Sequence, residues 1–481
     1  MARWMTSLVV IAVFIACKDD GTGPTGPVSA MLKVAGDRQA SFPGQPLAQA
    51  LQVLVTDSNG RGVGGLTVNW TTTGGSLSAA SSVTDVSGNA TIALTLPALP
   101  GIDTVTARAV GRSDSVQFVE FAVRTVGIAS QFPVPSNYGL HDTFVRDGIA
   151  FACVWNTGII VLDVGDGRAG GTPSAPVPLD TFVTATSGVA GGAQVHNAWW
   201  FHNPTNGEKK YLFVGQEGPG NIGSTSSGDI HVVDVSNLSN LTEVATYHMN
   251  GAGVHNFWMD EPAQILYAAY YNGGVVALNV SGTLSGNLAT REIARIQPGG
   301  PNNTFVWGVQ LASNGSLYAV DMLSGVWQLA RGASSFTVAG GGNNVPERYS
   351  SDFWVHGNHI YSGSWGNRGT QGNAVKISRL TAAGATTLVD SIITPDIGTV
   401  SDVQVSSDGK MLVFSSEGGP GAGVYVFDLT DPEKPVPIGR STPLSVHTAT
   451  IADINGGRYV FAARNPSNPA MVVYDITPLI P

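Results

Sequence analysis

VHNFWMD, residues Val254–Asp260, sets a histidine beside an amide and two large aromatics in a chain otherwise rich in Gly, Ser, Thr, Val and Ala. Nearly the same wording returns as VHNAWWF at Val195–Phe201, and its first letters as LHD at Leu140–Asp142 and VHT at Val446–Thr448. Working outward from these openings, the chain from about Tyr138 divides into seven self-similar units that begin near Leu140, Val195, Val254, Val306, Ser350, Val400 and Val446. Each unit follows its opening strand with an apolar strand rich in aromatic and small residues, such as IAFACVW from Ile149, YLFVGQE from Tyr211 and MLVFSSE from Met411. A β-branched strand comes next: GIIVLDV from Gly158, DIHVVDV from Asp229, GVYVFDL from Gly423.

The period fits the roughly 40 to 50 residues of a four-stranded propeller blade. Radial sheets bury both faces against their neighbours and leave only short edges, so seven such units predict a closed seven-bladed β-propeller. Val126–Val134 (VGIASQFPV) precedes the first unit without a blade of its own, and is expected to supply the outermost strand of the last blade. The third strands GIIVLDV, DIHVVDV and GVYVFDL resemble the LVIVD repeat of extracytoplasmic β-propellers, although GVWQLAR and AVKISRL lack its acidic residue. The resemblance implies a propeller at a cell surface or secreted, and no settled reaction. Its acidic position, Asp163, Asp234, Asp428 and Asp475 with Asn279 in the third unit, suits side chains that accept hydrogen bonds from the following turn.

Ahead of the repeats, residues 28–125 show short alternating strands between turn signals, for example LQVLV at Leu51–Val55 before DSNG. Several such strands in about 95 residues predict a β-sandwich. The order VTDSNGRGVGGLTVNW, TDVSGNATIALTL, DTVTARAVG resembles bacterial immunoglobulin-like domains of the invasin and intimin type, which implies a core role for Trp70 and a spacer function for the module. The whole chain is therefore expected to be all-β, an immunoglobulin-like sandwich at 28–125 followed by a propeller at 126–481.

At the amino terminus, Arg3 and the apolar run Leu8–Ala16 lead into Cys17, and Phe14-Ile15-Ala16-Cys17 resembles a bacterial lipobox. Nine apolar residues are too few to span a bilayer, which takes about 20. Residues 1–17 are thus expected to be a lipoprotein signal with Cys17 as the lipidated residue, and 18–27 a Gly/Pro/Asp tether. An ordinary cleaved secretory signal is the other reading; both place the protein outside the cytoplasm, the first anchored to a bacterial membrane. With Cys17 acylated only Cys153 remains, in an apolar run that suits a buried small hydrophobe. The balance of 24 basic and 34 acidic residues, without a basic cluster, argues against a nucleic-acid partner.

Aligning the opening strands puts His141, His196, His255 and His447 at one position, with Trp307, Ser351 and Ser401 in the other units. In chain order around a ring, the histidine-bearing blades are contiguous, and an opening strand is the innermost of its blade. Two roles fit: structural hydrogen bonding between strands, as in WD-repeat propellers, or a site for one transition metal ion, Zn, Cu or Fe. The next position reads Asp142, Asn197, Asn256, Gly308, Asp352, Asp402 and Thr448, expected on the opposite side of the strand. Trp199, Trp258 and Phe353 suit interblade packing. Glu217 and Glu417 end equivalent second strands, separated by three blades the short way round, and are expected to be solvated in loops.

No GxSxG, HExxH or CxxC motif occurs, and GQEGPGNIG lacks the helix and Lys-Ser/Thr of a phosphate loop. No catalytic residue is assigned. The expected function is a lipid-anchored binding module for a protein, glycan or peptide, carried on an immunoglobulin-like stalk; the alternative is a metal-dependent enzyme, an oxidoreductase, built on the four histidines.

Overall fold

The computed structural model describes residues 27–481 except 136–138, 185–193, 219–225, 227, 343–348, 367–370, 382–385, 442 and 466–467. Cys17 and the lipobox lie outside the described residues, within which no helix is long and apolar enough to cross a membrane. Nearly all regular structure is β-strand, and the chain divides into two compact units.

The first is a two-sheet sandwich. Val28–Ala35, Leu51–Asp57 and Asn89–Ile92 form one sheet; Ala40–Ser41, Val116–Ala122, Gly101–Ala109, Thr67–Thr72 and Ser81–Val83 form the other. The period-two pattern of LQVLV becomes a buried face of Leu51, Val53 and Val55, since alternate side chains of a strand point to opposite faces. Trp70 is buried beside Phe118, and its indole N–H donates to Ser82 Oγ at 2.9 Å.

The second unit is a ring of seven sheets. Blade 1 comprises Leu140–Arg146, Ile149–Val154, Gly158–Asp163 and Val177–Phe182, each pairing antiparallel with the next, and the later blades repeat the order. In blade 1 the second and third strands are buried on both faces, which is why Ile149–Val154 and Gly158–Asp163 read as continuous apolar runs, whereas the third strands of blades 4 and 5, Gly325–Arg331 and Ala374–Leu380, are only partly buried. The core is distributed between blades: Phe151 and Val161 pack with Val195, Leu212 and Val214, and Phe213 packs with Phe257 and Leu266. The ring closes by packing Phe461 and Val473 of the last blade against Ala150 and Leu162 of the first.

Strand pairing closes it as well. Gly127–Pro133 runs antiparallel to Ala470–Asp475, from Gly127 opposite Asp475 to Pro133 opposite Ala470, and supplies the outer strand of blade 7. Arg124–Thr125 already pairs with Val436–Arg440 of blade 6, so propeller pairing begins before residue 126, the boundary drawn from the sequence. Both ends of the ring are thereby held by chain that enters it first.

The acidic ends of the third strands cap turns. Asp163 accepts from the backbone N–H of Gly165, Gly167, Ala169 and Gly171 at 2.8 to 3.2 Å. Asp234, Asn279, Asp428 and Asp475 each accept from the N–H two residues on. Burial pushes the Asp163 carboxyl up, and the four amide donors outweigh it, holding it below the usual carboxylate range. Asp163→Ala is expected to cost about 1 to 3 kcal/mol in urea unfolding. Because the folded value is depressed, this contribution is present above about pH 4 and is lost as pH falls through the folded value, so the gap between the two proteins should narrow in acid.

Candidate metal centre at the hub

Each blade brings its opening strand to the axis, and a local irregularity decides which side chains face it. In blades 1 and 2 the pairing skips one residue on the inner strand, between Leu140 and Asp142 and between Val195 and Asn197. Blades 4, 5 and 6 break register at the same place, around Trp307, Ser351 and Ser401. A bulge of this kind leaves the extra residue out of the ladder and re-aims it. The histidine position is the bulged one. The expectation that the next residue would face away therefore fails: His141 and Asp142 both serve the hub, at successive depths.

The four histidines converge. Ring centroids are 4.2 Å apart for His447 and His141, 4.4 Å for His141 and His196, and 3.9 Å for His196 and His255. Trp307 stacks on His255 at 5.0 Å, Trp365 lies 5.0 Å from Trp307, and His447 lies 6.2 Å from Trp365, which closes a ring of four imidazoles and two indoles. His141 is also stacked on Trp155 at 4.6 Å. Candidate ligand atoms of His141, His196 and His447 lie within 4.8 Å of one another, and so do those of His196, Glu217 and His255.

Glu217 and Glu417, expected in solvated loops, are part of this site. Glu217 is buried, 3.5 Å from His196 Nε2 and 3.7 Å from His255 Nε2, and accepts a short hydrogen bond from the Tyr271 hydroxyl. Glu417 lies 3.2 Å from His447 Nδ1, with Ser401 Oγ and Asn465 Nδ2 each donating to it at 3.3 Å. The reason is hairpin register: Val195 pairs with Gln216 and Val400 with Ser416, so Glu217, just after its second strand, and Glu417, the last residue of its own, both lie beside the bulge. Three blades separate the two carboxylates at the rim, but at the axis all blades meet.

The hydrogen bonding prepares the imidazoles as ligands. His255 Nδ1 donates to the Trp307 carbonyl at 2.6 Å, which fixes the tautomer and leaves Nε2 as a lone pair turned toward Glu217. Among the described residues, His196 is fully buried with neither ring nitrogen in a hydrogen bond, and His141 Nδ1 is likewise without one. An unmade bond of this kind costs about 1 to 3 kcal/mol, so the pocket is built for something that would occupy those lone pairs. Burial and the neighbouring imidazoles hold His141 and His196 well below the ordinary histidine range, and burial takes His255 down to about 3. Burial pushes His447 down too, but Glu417 reverses it and the net shift is upward. Burial raises Glu217 to about 7 against the Tyr271 hydrogen bond. A cation among these groups would compensate both carboxylates and meet three neutral imidazoles; the donor set fits a transition metal.

One step along the strands lies a second tier, a cavity of about 220 Å³ bordered by Asp142, Asn197, Asn256, Asp352 and Asp402. Asn256 Nδ2 donates to Asp352 Oδ2 at 2.8 Å, and Asp402 Oδ2 accepts from Ala449 N at 2.8 Å. Burial and mutual repulsion raise Asp352 well above the usual range; burial raises Asp402 and takes Asp142 to about 6. Further along, Phe144, Trp199, Trp258 and Trp354 form an arc with ring spacings of 5.3, 5.5 and 5.8 Å. Trp354 thus takes the place assigned to Phe353, which is buried between blades, because the blade 5 pairing skips to Phe353 after Ser350. Cys153 is fully buried and burial drives its thiol far up, so it is no nucleophile.

Residues 47–121 match the family described as bacterial Ig-like domain (group 1). No curated protein matches the chain. Among solved structures, a chain of the mitotic checkpoint complex aligns with a TM-score of 0.50 at 13% identity, covering 73% of this chain and 96% of its own length. The C-terminal WD40 domain of Sif2 aligns with a TM-score of 0.48 at 10% identity, covering 73% and 99%. At that identity the first shows the fold alone, an immunoglobulin-like domain ahead of a propeller when taken with the family match.

The histidines differ in what they contribute without a ligand. In chelator-treated protein, His196→Leu is expected to leave the melting temperature unchanged or raised, since it removes two buried orphan nitrogens. His255→Leu, which removes the bond to the Trp307 carbonyl, is expected to lower stability by about 1 kcal/mol. Thermal melts of the two variants beside the parent provide the check.

Proposed function

We propose that the protein is an extracytoplasmic binding module whose propeller holds one transition metal ion, Zn, Cu or Fe, at the hub. What carries the reading is the convergence of two ligand triads that share His196, one of His196, Glu217 and His255 and one of His141, His196 and His447, around a buried imidazole that has no hydrogen-bond partner among the described residues. His196, Glu217 and His255 would hold the ion, with His141 and His447 on the other side of His196. When bound, the ion would supply Lewis-acid or redox chemistry; the chain itself holds the imidazoles neutral, orients His255 through the Trp307 carbonyl, and fixes Glu217 through Tyr271. Two histidines with one carboxylate also form the donor set of non-haem iron oxygenases, which favours a metal-dependent oxidoreductase as the second reading.

The third strands support assignment of the ring to LVIVD-repeat propellers, and the Gly/Pro/Asp segment after Cys17 supports a lipid anchor that displays the sandwich as a stalk. A protein, glycan or peptide ligand outside the cytoplasm belongs to this reading, and nucleic acid does not.

Elemental analysis of purified protein tests the metal. About one equivalent of transition metal per chain is expected, falling below roughly a tenth in His196→Ala, because His196 belongs to both ligand triads and its loss leaves neither complete. A parent protein that stays metal-free after reconstitution overturns the reading. The anchor is tested separately by Cys17→Ser, which is expected to move the protein from the membrane fraction to the soluble one in its bacterial host, as loss of the lipid chains requires.

A further inference from the structure

The tier beyond the histidines carries a second site of different chemistry. Its cavity is bordered by Asp142, Asp352 and Asp402, and no Lys, Arg or His is among its bordering residues. Among the carboxylates, Asp352 accepts from Phe353 N and Asn256 Nδ2 and Asp402 accepts from Ala449 N, each at 2.8 Å. Above them stands the aromatic arc, and beyond the arc the same Phe144, Trp199 and Trp258 border a surface depression of about 560 Å³. The one cationic side chain bordering that depression, Arg146, is occupied by both carboxylate oxygens of Glu261.

We propose that this channel receives a primary ammonium group on an unbranched alkyl stem, the stem lying within the arc of Phe144, Trp199, Trp258 and Trp354 and the ammonium resting on Asp352 and Asp402. Each part of the cavity selects one part of such a guest. Aromatic faces attract a cation and pack on methylenes. An ammonium has three N–H donors and no acceptor, which matches a cavity bordered by three aspartates. A quaternary ammonium would satisfy the charge but none of those acceptors. Calcium takes six to eight oxygens and has no use for the arc. The volume, about 220 Å³, is below the roughly 300 to 1,000 Å³ of ordinary ligand pockets and suits a narrow guest. A free amine and a lysine side chain share this chemistry.

The test is a titration of the chelator-treated full chain, followed by calorimetry and by tryptophan fluorescence, with n-butylammonium, tetramethylammonium and calcium chlorides and a blocked lysine tripeptide. Saturable binding of n-butylammonium is expected, with at most weak binding of the other two salts. Asp352→Asn and Trp258→Leu should each weaken it roughly tenfold or more, and Trp258→Phe should retain most of it. Tripeptide binding tighter than butylammonium assigns the guest to a protein-borne lysine, weaker binding to a free amine. Absence of saturation, tetramethylammonium or calcium binding as tightly as the amine, or indifference to Asp352→Asn overturns the proposal. Should Asp352→Asn not fold, Asp402→Asn and the Trp258 pair decide it. The metal is absent throughout, so this outcome is independent of the hub centre.

Discussion

Seven inner strands approach a single axis, and every side chain placed at one depth competes for the same few cubic ångströms. That crowding governs the rest of the molecule. Between blades there is room for apolar packing on both faces, so the second and third strands became continuous hydrophobic runs such as Ile149–Val154. At the axis there is room only for flat rings and short polar groups. In five blades a bulge at the start of the inner strand leaves a residue out of ladder register at that level, and in blades 1 and 2 this residue is His141 and His196.

The same geometry explains how much was legible in the sequence. Repeats, strand order and the closing role of Val126–Val134 follow from local patterns, because each is a property of one unit or its copy. Equivalence of His141, His196, His255 and His447 could be read for the same reason. Glu217 and Glu417 could not be placed by counting blades, since separation measured around a rim says nothing about separation at a hub. The hairpin register held the signal: the residue that ends the second strand or directly follows it must lie level with the beginning of the first, which puts Trp155, Glu217, Trp365 and Glu417 at histidine depth. Trp354 was missed because an alignment without gaps ignores the skipped pairing between Ser350 and Phe353.

Polar groups at the axis are expensive, and the cost is uneven around the ring. In blades 6 and 7 the inner strands bond to their neighbours: Gln404 Oε1 accepts from Ile451 N, and Thr450 Oγ1 donates to the Thr143 carbonyl at 2.6 Å. Gln310 does the same toward Val355, donating and accepting at 2.9 and 2.6 Å. These are structural ties of the sort that any propeller needs. Blades 1, 2, 3 and 5 carry the aromatic rings Phe144, Trp199, Trp258 and Trp354 in their place.

The bonding state of a polar group at the axis is more telling than its identity. If the histidines served only to join strands, their ring nitrogens would be bonded as the glutamines and threonines are, and His196 would not sit fully buried with both nitrogens free of a hydrogen bond among the described residues. A hub that is already held rigid can keep buried imidazoles and carboxylates in an uncompensated arrangement, because relaxing it would require moving whole sheets. The free energy stored in those unmet groups would be released by a ligand that satisfied them, which an exposed loop, already solvated, does not offer.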